Sequence, residues 1–276
     1  MEAFPTSVAD EWKQLKLSGL DVEGRFSPNL GCFLVPWAGR LVLCDAGIGP
    51  GPNAYLGGLR GHLPEALASH GVTPDQIAAV VFTHLHMDHI GWATSLDSTG
   101  QRVASFPDAD YFVAAPEMTF WATGATGARA HHREAFETIF RPLERLGHLV
   151  PVTHGEPILA GLSLISTPGH TPGHSSIRFE QGDQCMVVAG DIFHCPGQVE
   201  RPDWHHRADM DPDQARITRK TFIKQAASEH WLIAAGHFRD GLQSGHISAK
   251  NDGFRFEPLN ATANRKTTAI QQGRLQ

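Results

Sequence analysis

Basic residues are scarce in this 276-residue sequence: 23 Lys and Arg stand against 29 Asp and Glu, a formal charge of −6. No Lys/Arg cluster is present, so the electrostatic footprint expected of a nucleic-acid-binding protein is missing. Cysteine is limited to Cys32, Cys44, Cys185 and Cys195, with no Cys-x-x-Cys pair, which argues against a zinc knuckle or a thioredoxin-like site. Cys32, Cys44 and Cys185 fall in apolar runs and are expected as buried small hydrophobes, whereas Cys195 is a candidate to line a site. No apolar run approaches the length of a membrane span. Met1 to Trp12 lacks the basic start and apolar core of a signal peptide, so a cytoplasmic protein is expected. The Gly-x-Ser-x-Gly elbow of serine hydrolases is absent. Tyrosine is rare, with only Tyr55 and Tyr111.

What remains is a chain with 41% hydrophobic residues, long enough to bury a substantial core. Strand-like runs fall near 31–36, 40–45, 79–83, 110–114, 162–166, 175–179, 185–189 and 231–235. Helical patterns fall near 60–70, 116–121, 129–147 and 212–229, and Asp211-Pro212 provides an N-cap followed by a first-turn proline. This alternation gives a mixed α/β class, with helices covering the outer faces of sheets.

Metal-ligand side chains are concentrated in one place. Thr83-His84-Leu85-His86-Met87-Asp88-His89 packs three histidines and an aspartate into six residues, a density that packing needs rarely produce. Imidazole and carboxylate are the donors that divalent zinc, manganese or iron accept at a hydrolytic centre. Further candidates follow downstream. His170 comes after the run Leu162 to Ile165, Asp191 after Met186 to Ala189 and Gly190, and His237 after Trp231 to Ala235 and Gly236. Each site repeats one design, in which a buried strand delivers a ligand at its carboxyl end, where a rigid sheet can position it.

These motifs resemble the metallo-β-lactamase-fold metallohydrolases over about residues 28 to 240. The resemblance implies a four-layer αβ/βα sandwich of two mixed sheets with helices outside, in one hydrolase domain spanning 1–276 with N- and C-terminal extensions. It implies two divalent ions, zinc first, with manganese, cobalt or iron as alternatives. Carried over by position, His84, His86 and His170 hold the first ion, Asp88, His89 and His237 the second, and Asp191 bridges them. Asp45, in Leu41-Val42-Leu43-Cys44-Asp45-Ala46-Gly47, corresponds to an aspartate that supports a ligating histidine. The implied chemistry is hydrolysis by a water that the two ions acidify, with Asp88 or a metal-bound water returning a proton to the leaving group. Thr-His-Leu-His-Met-Asp-His-Ile-Gly, Thr-Pro-Gly-His-Thr-Pro-Gly-His-Ser-Ser and Ala189-Gly190-Asp191 are most similar to the branch holding N-acyl homoserine lactonases and methyl parathion hydrolase.

The remaining expectations concern the substrate. Trp92, three residues past the metal motif, is the leading aromatic contact, followed by Trp121, His194 and Trp204. His174 is expected to hydrogen-bond near the metals, and His131-His132 to be solvated. Ala122 to Ala130 reads as a flexible loop able to act as a lid. Lactonases of this branch place a tyrosine near the metals, yet none follows His170 here, so either another residue orients the carbonyl or the substrate differs. Lactone or ester hydrolysis therefore comes first, phosphotriester or aryl-ester hydrolysis second, and a non-catalytic metal-binding scaffold last. The partner is a small molecule, without nucleic acid or membrane, and pairing into a homodimer is left open.

Overall fold

The computed structural model describes residues 2–15, 17–239, 241–251 and 253–259, together with the backbone of 269–270. Two mixed sheets stack face to face. The first has the strand order Ala269–Ile270, Cys32–Trp37, Arg40–Cys44, Ile77–Val81, Asp110–Ala114 and Leu149–Val152. Its last four strands run parallel. The second has the order Gly253–Pro258, Ser244–Lys250, Leu232–Ala234, Gln184–Val188, Ser175–Gln181, Leu162–Ser166 and Pro157–Leu159, with only the central pair parallel.

Strand periodicity explains the layers. Side chains alternate between faces along a strand, so Val42 and Cys44 point into the space between the sheets while Leu43 points outward. Facing residues Phe33, Val81, Leu164, Ile177, Val188 and Ala234 fill the inter-sheet core. Outside the first sheet, Val80, Tyr111 and Val113 pack against helices through Leu67, Met118, Phe136 and Phe140. Outside the second, Val187 and Ile233 meet Phe222, Ile223 and Ala226 of the helix Pro212–Ser228. The αβ/βα order of layers follows from these two outward faces. Asp211 caps the long helix by accepting from the Gln214 N–H.

Three expectations are corrected. The helix expected over 129–147 is divided into Ala130–Ala135, a π turn at Phe136–Phe140 and Pro142–Leu146. Pro142 has no N–H to continue the ladder. The Ala122–Ala130 stretch is no free lid, because Ala125 and Ala128 are buried and the Ala125 N–H donates to the Phe120 carbonyl. Residues past 240 are more than an extension: Ser244–Lys250 and Gly253–Pro258 complete one side of the second sheet. No helix among the described residues is long and apolar enough to cross a membrane.

Candidate metal centre

All the ligand-bearing loops leave the carboxyl ends of strands at one edge of the sandwich. Backbone bonds hold them together: Ser175 N–H donates to the Thr83 carbonyl, Ala46 N–H to His89 and Asn29 N–H to His237. A one-turn helix, Met87–Ile90, starts at His86 and turns Asp88 and His89 toward the centre. Gly190 adopts a left-handed φ of 61°, and a Cβ there would lie 2.6 Å from His174 Nε2. Only glycine lets the Asp191 N–H reach that nitrogen, at 2.9 Å.

The geometry fixes which imidazole nitrogens face inward. His89 Nδ1–H donates to Asp45 Oδ2 at 2.8 Å, His170 Nδ1–H to Asp209 Oδ1 at 2.9 Å, and His237 Nδ1–H to the Asn29 carbonyl at 2.7 Å. Thr83 Oγ1–H donates to Asp45, so its oxygen accepts from His84 Nδ1–H at 3.1 Å. In their neutral forms, all four rings therefore turn a bare Nε2 toward the centre. Asp45 makes these contacts from a left-handed φ of 61°, a strained conformation held by its hydrogen bonds to Thr83 and His89.

The inward set consists of acceptors. His84 Nε2 and His86 Nδ1 are 3.1 Å apart, and His86 Nδ1 and His170 Nε2 are 3.0 Å apart. Asp191 Oδ2 lies 3.1 Å from His170 Nε2 and 3.0 Å from His237 Nε2, while its Oδ1 lies 3.3 Å from His89 Nε2. Asp88 Oδ2 is 3.8 Å from both His89 Nε2 and His237 Nε2. Donors bonded tetrahedrally to one ion at about 2.0–2.1 Å would be spaced by roughly 3.3 Å. Among the described residues, His89 Nε2 and Asp191 Oδ1 are buried with no hydrogen-bond partner. Buried lone pairs turned on one another and on carboxylates are satisfied by cations, so these residues fit divalent metal, with Asp191 facing several of the donor groups.

Electrostatics agree. Burial disfavours ionised Asp191, but His237, His89, His170 and His84 outweigh it and hold the carboxyl well below its ordinary range. Without a cation, burial opposes the charge on His170, yet Asp191 and Asp209 push it up to about 9. A metal would take the place of that proton.

Sequence reasoning missed several supports. Asp209 is fully buried; its Oδ2 accepts from the His206 N–H at 2.9 Å and pairs with the equally buried Arg219 at 3.4 Å. Glu117 accepts from the Leu85 N–H, Trp121 Nε1–H, Thr171 Oγ1–H and Gly173 N–H, tying the metal-motif loop to the His170 loop. Burial pushes its carboxyl up, against those four bonds. Nothing in the local pattern around Glu117 signals this, because its partners are far away in sequence. His174 takes the expected place, accepting the Asp191 N–H and donating Nδ1–H to the Thr167 carbonyl.

A cavity of about 410 Å³ opens over the donors. Its wall includes Phe26, Leu30, Tyr55, Leu56 and Met87, with Arg129 and Arg207 at its edge. His194 lines it, but Trp92, Trp121 and Trp204 do not, which corrects the expected substrate contacts. The Trp92 backbone N–H donates to the Ala46 carbonyl, and its ring packs on the core of the first sheet. Trp121 stands behind His86 and donates to Glu117. Trp204 is buried with Phe4 and Trp12. Cys195 joins that same cluster instead of the cavity. His131 and His132, expected to be solvated, both line the cavity. His132 is buried, accepts the Met87 N–H and stacks on His86 at 3.9 Å, while His131 stacks on Tyr55 at 4.3 Å.

Comparison with known proteins supports this architecture. A crystal structure of hydrolase AbOPH in the beta-lactamase superfamily aligns with a TM-score of 0.78 at 26% identity, over 94% of this chain and 89% of that one. AidC, a dizinc quorum-quenching lactonase in complex with a product, aligns with a TM-score of 0.68 at 25% identity, over 82% of this chain and 78% of that one. Ribonuclease TTHA0252 of Thermus thermophilus is 29% identical over 165 residues, 56% of this chain but only 33% of the ribonuclease. Residues 32–237, from the first strand of the sandwich to its last histidine donor, match the family model, and the chain belongs to the metallo-beta-lactamase superfamily.

Proposed function

We propose that the protein is a dinuclear metallohydrolase that opens a lactone or an ester, with an N-acyl homoserine lactone as the leading candidate. The observation that supports it most is the acceptor cluster forming the floor of the cavity, where His86, Asp88, His170, Asp191 and His237 all reach the wall. His84, His86 and His170 would hold the first ion, Asp88, His89 and His237 the second, with Asp191 between them. Zinc is the first choice, with manganese, cobalt or iron as alternatives for the same donors. Such ions supply Lewis acidity toward a carbonyl or phosphoryl oxygen and acidify water so that hydrolysis proceeds near neutral pH.

The chain's own residues do the rest. Asp45, Asp209 and the Asn29 carbonyl hold the imidazoles in the tautomer that turns bare nitrogens inward. Phe26, Leu30, Leu56 and Met87 form an apolar wall that takes an acyl chain and excludes water. Burial works against ionised Asp88, but His89 and His237 outweigh it and keep the carboxyl below its ordinary range. Asp88 is therefore present as the carboxylate, the form that would take the proton released by the attacking water and pass it to the leaving oxygen.

The likeness to a dizinc lactonase supports lactone opening. A second reading, an aryl ester or phosphotriester, is favoured by the stacked Tyr55 and His131 rings at the cavity wall and by the lack of tyrosine after His170. The ribonuclease likeness spans a third of that protein, and a net charge of −6 gives RNA no footprint. The reading keeps a small-molecule substrate and a cytoplasmic setting.

The test is kcat/KM for the zinc-loaded protein on N-hexanoyl homoserine lactone, phenyl acetate and a diethyl aryl phosphate. The lactone is expected to lead. An inert lactone with the aryl phosphate turned over fastest would establish the second reading, and turnover of phenyl acetate alone would narrow the first to esters.

A further inference from the structure

His194 carries a feature that none of the seven donors above explains. Its side chain is only 3% exposed, and among the described residues neither ring nitrogen has a hydrogen-bond partner. The loop that carries it is fixed, because its backbone N–H donates to Gln198 Oε1 at 2.7 Å and Gln198 in turn donates to the Trp204 carbonyl. The ring itself is clamped. His206 stacks on it at 3.8 Å with planes 22° apart, and His237 lies nearly parallel at 5.2 Å. One face is covered by His206, and the ring edge is what meets the polar neighbours.

That edge points into the donor cluster. His194 Nε2 lies 3.3 Å from Asp191 Oδ2 without the alignment of a hydrogen bond. Together with His170 and Asp191 it offers three ligand atoms, all within 4.8 Å of one another. An imidazole donates to a metal in the plane of its ring, through the lone pair at its edge. The clamp of His206 and His237 leaves that direction free. Resting on the dinuclear reading above, we propose that His194 is an additional ligand of the first ion, joining His84, His86, His170 and Asp191.

A substrate contact would not require the ring edge to be set against His170 and Asp191. Ligation satisfies that ring in the resting state. It also raises the protein donors at the first position from four to five, which favours ions that accept five or six ligands over strictly tetrahedral zinc.

Two measurements test this without substrate. In a crystal structure of the Mn2+-loaded wild type, His194 Nε2 is expected at bonding distance, about 2.1–2.3 Å from the first ion. In the His194→Phe variant, cobalt titration of chelator-stripped protein is expected to weaken one of two equivalents by at least 10–100-fold, about the loss known for second-shell partners. The visible cobalt spectrum should change with it. A wild-type separation beyond about 3 Å overturns the proposal, since imidazole ligands sit near 2.0–2.1 Å from zinc. So does a folded variant with unchanged cobalt binding and spectrum and only a raised KM, which assigns His194 to the substrate instead. If the variant does not fold, the wild-type structure decides. Failure of every lactone and ester to react would refute the proposed function but leave both readouts intact.

Discussion

Replacing Asp209 by asparagine tests how the protein supports its metal from behind. The shape is conserved, and an amide oxygen can still accept from His170 Nδ1–H as Asp209 Oδ1 does at 2.9 Å. The charge is lost, and Arg219 is then a fully buried guanidinium without its carboxylate partner. Breaking a buried pair in this way costs about 3–5 kcal/mol. The carbonyls of Ile192, Pro202 and Trp204 still accept from Arg219, which puts the expectation near the lower end, at roughly 3 kcal/mol. A neutral acceptor also makes His170 a poorer donor, and disturbing such a partner lowers metal affinity by about 10–100-fold. Urea denaturation of stripped Asp209→Asn protein reads the first effect, and competition with a chromophoric chelator reads the second. A variant within about 1 kcal/mol of wild type, with unchanged metal affinity, would refute both the charge pairing and the buttressing of His170.

Glu117→Gln should cost about 2–3 kcal/mol, because one face of the amide would turn N–H toward the Gly173 N–H; an unshifted urea midpoint would contradict this. Asp191→Ala should lose most of one metal equivalent and nearly all turnover, read by metal analysis beside a rate assay. His131→Ala removes an aromatic ring from the cavity lining; the loss of a substrate contact there worth about 0.5–1.5 kcal/mol would raise KM roughly 2–13-fold. The sequence alone predicted no effect there. Zinc affinity of the stripped protein should rise with pH up to about 9, because below that value the ion must displace the proton on His170; isothermal titration across pH 6 to about 9 checks it.

The donors were legible because each follows a strand end by a few residues, so sequence position and spatial position nearly coincide. His84 and Asp191 illustrate this, lying three residues past Val81 and Val188. The cavity wall obeys no such rule. Phe26, Tyr55 and Arg207 come from segments scattered along the chain, and only the closed sandwich brings them together. Trp92 shows the converse: three residues from the motif, its ring packs on the core of the first sheet instead of lining the cavity. The 244–258 hairpin escaped notice since Gly245, His246, Ser248 and Gly253 interrupt the apolar alternation that marks a strand. Asp209 and Arg219 were hidden for another reason, as a buried charge pair leaves no local signature.

The most direct test of the central claim is proton release in a pH-stat from N-hexanoyl homoserine lactone. Chelator-stripped protein is compared with the same sample after zinc is restored. The account predicts ring opening that vanishes on stripping and returns with about two equivalents of zinc per chain. Ring opening that persists at full rate in protein shown to be free of metal would contradict it.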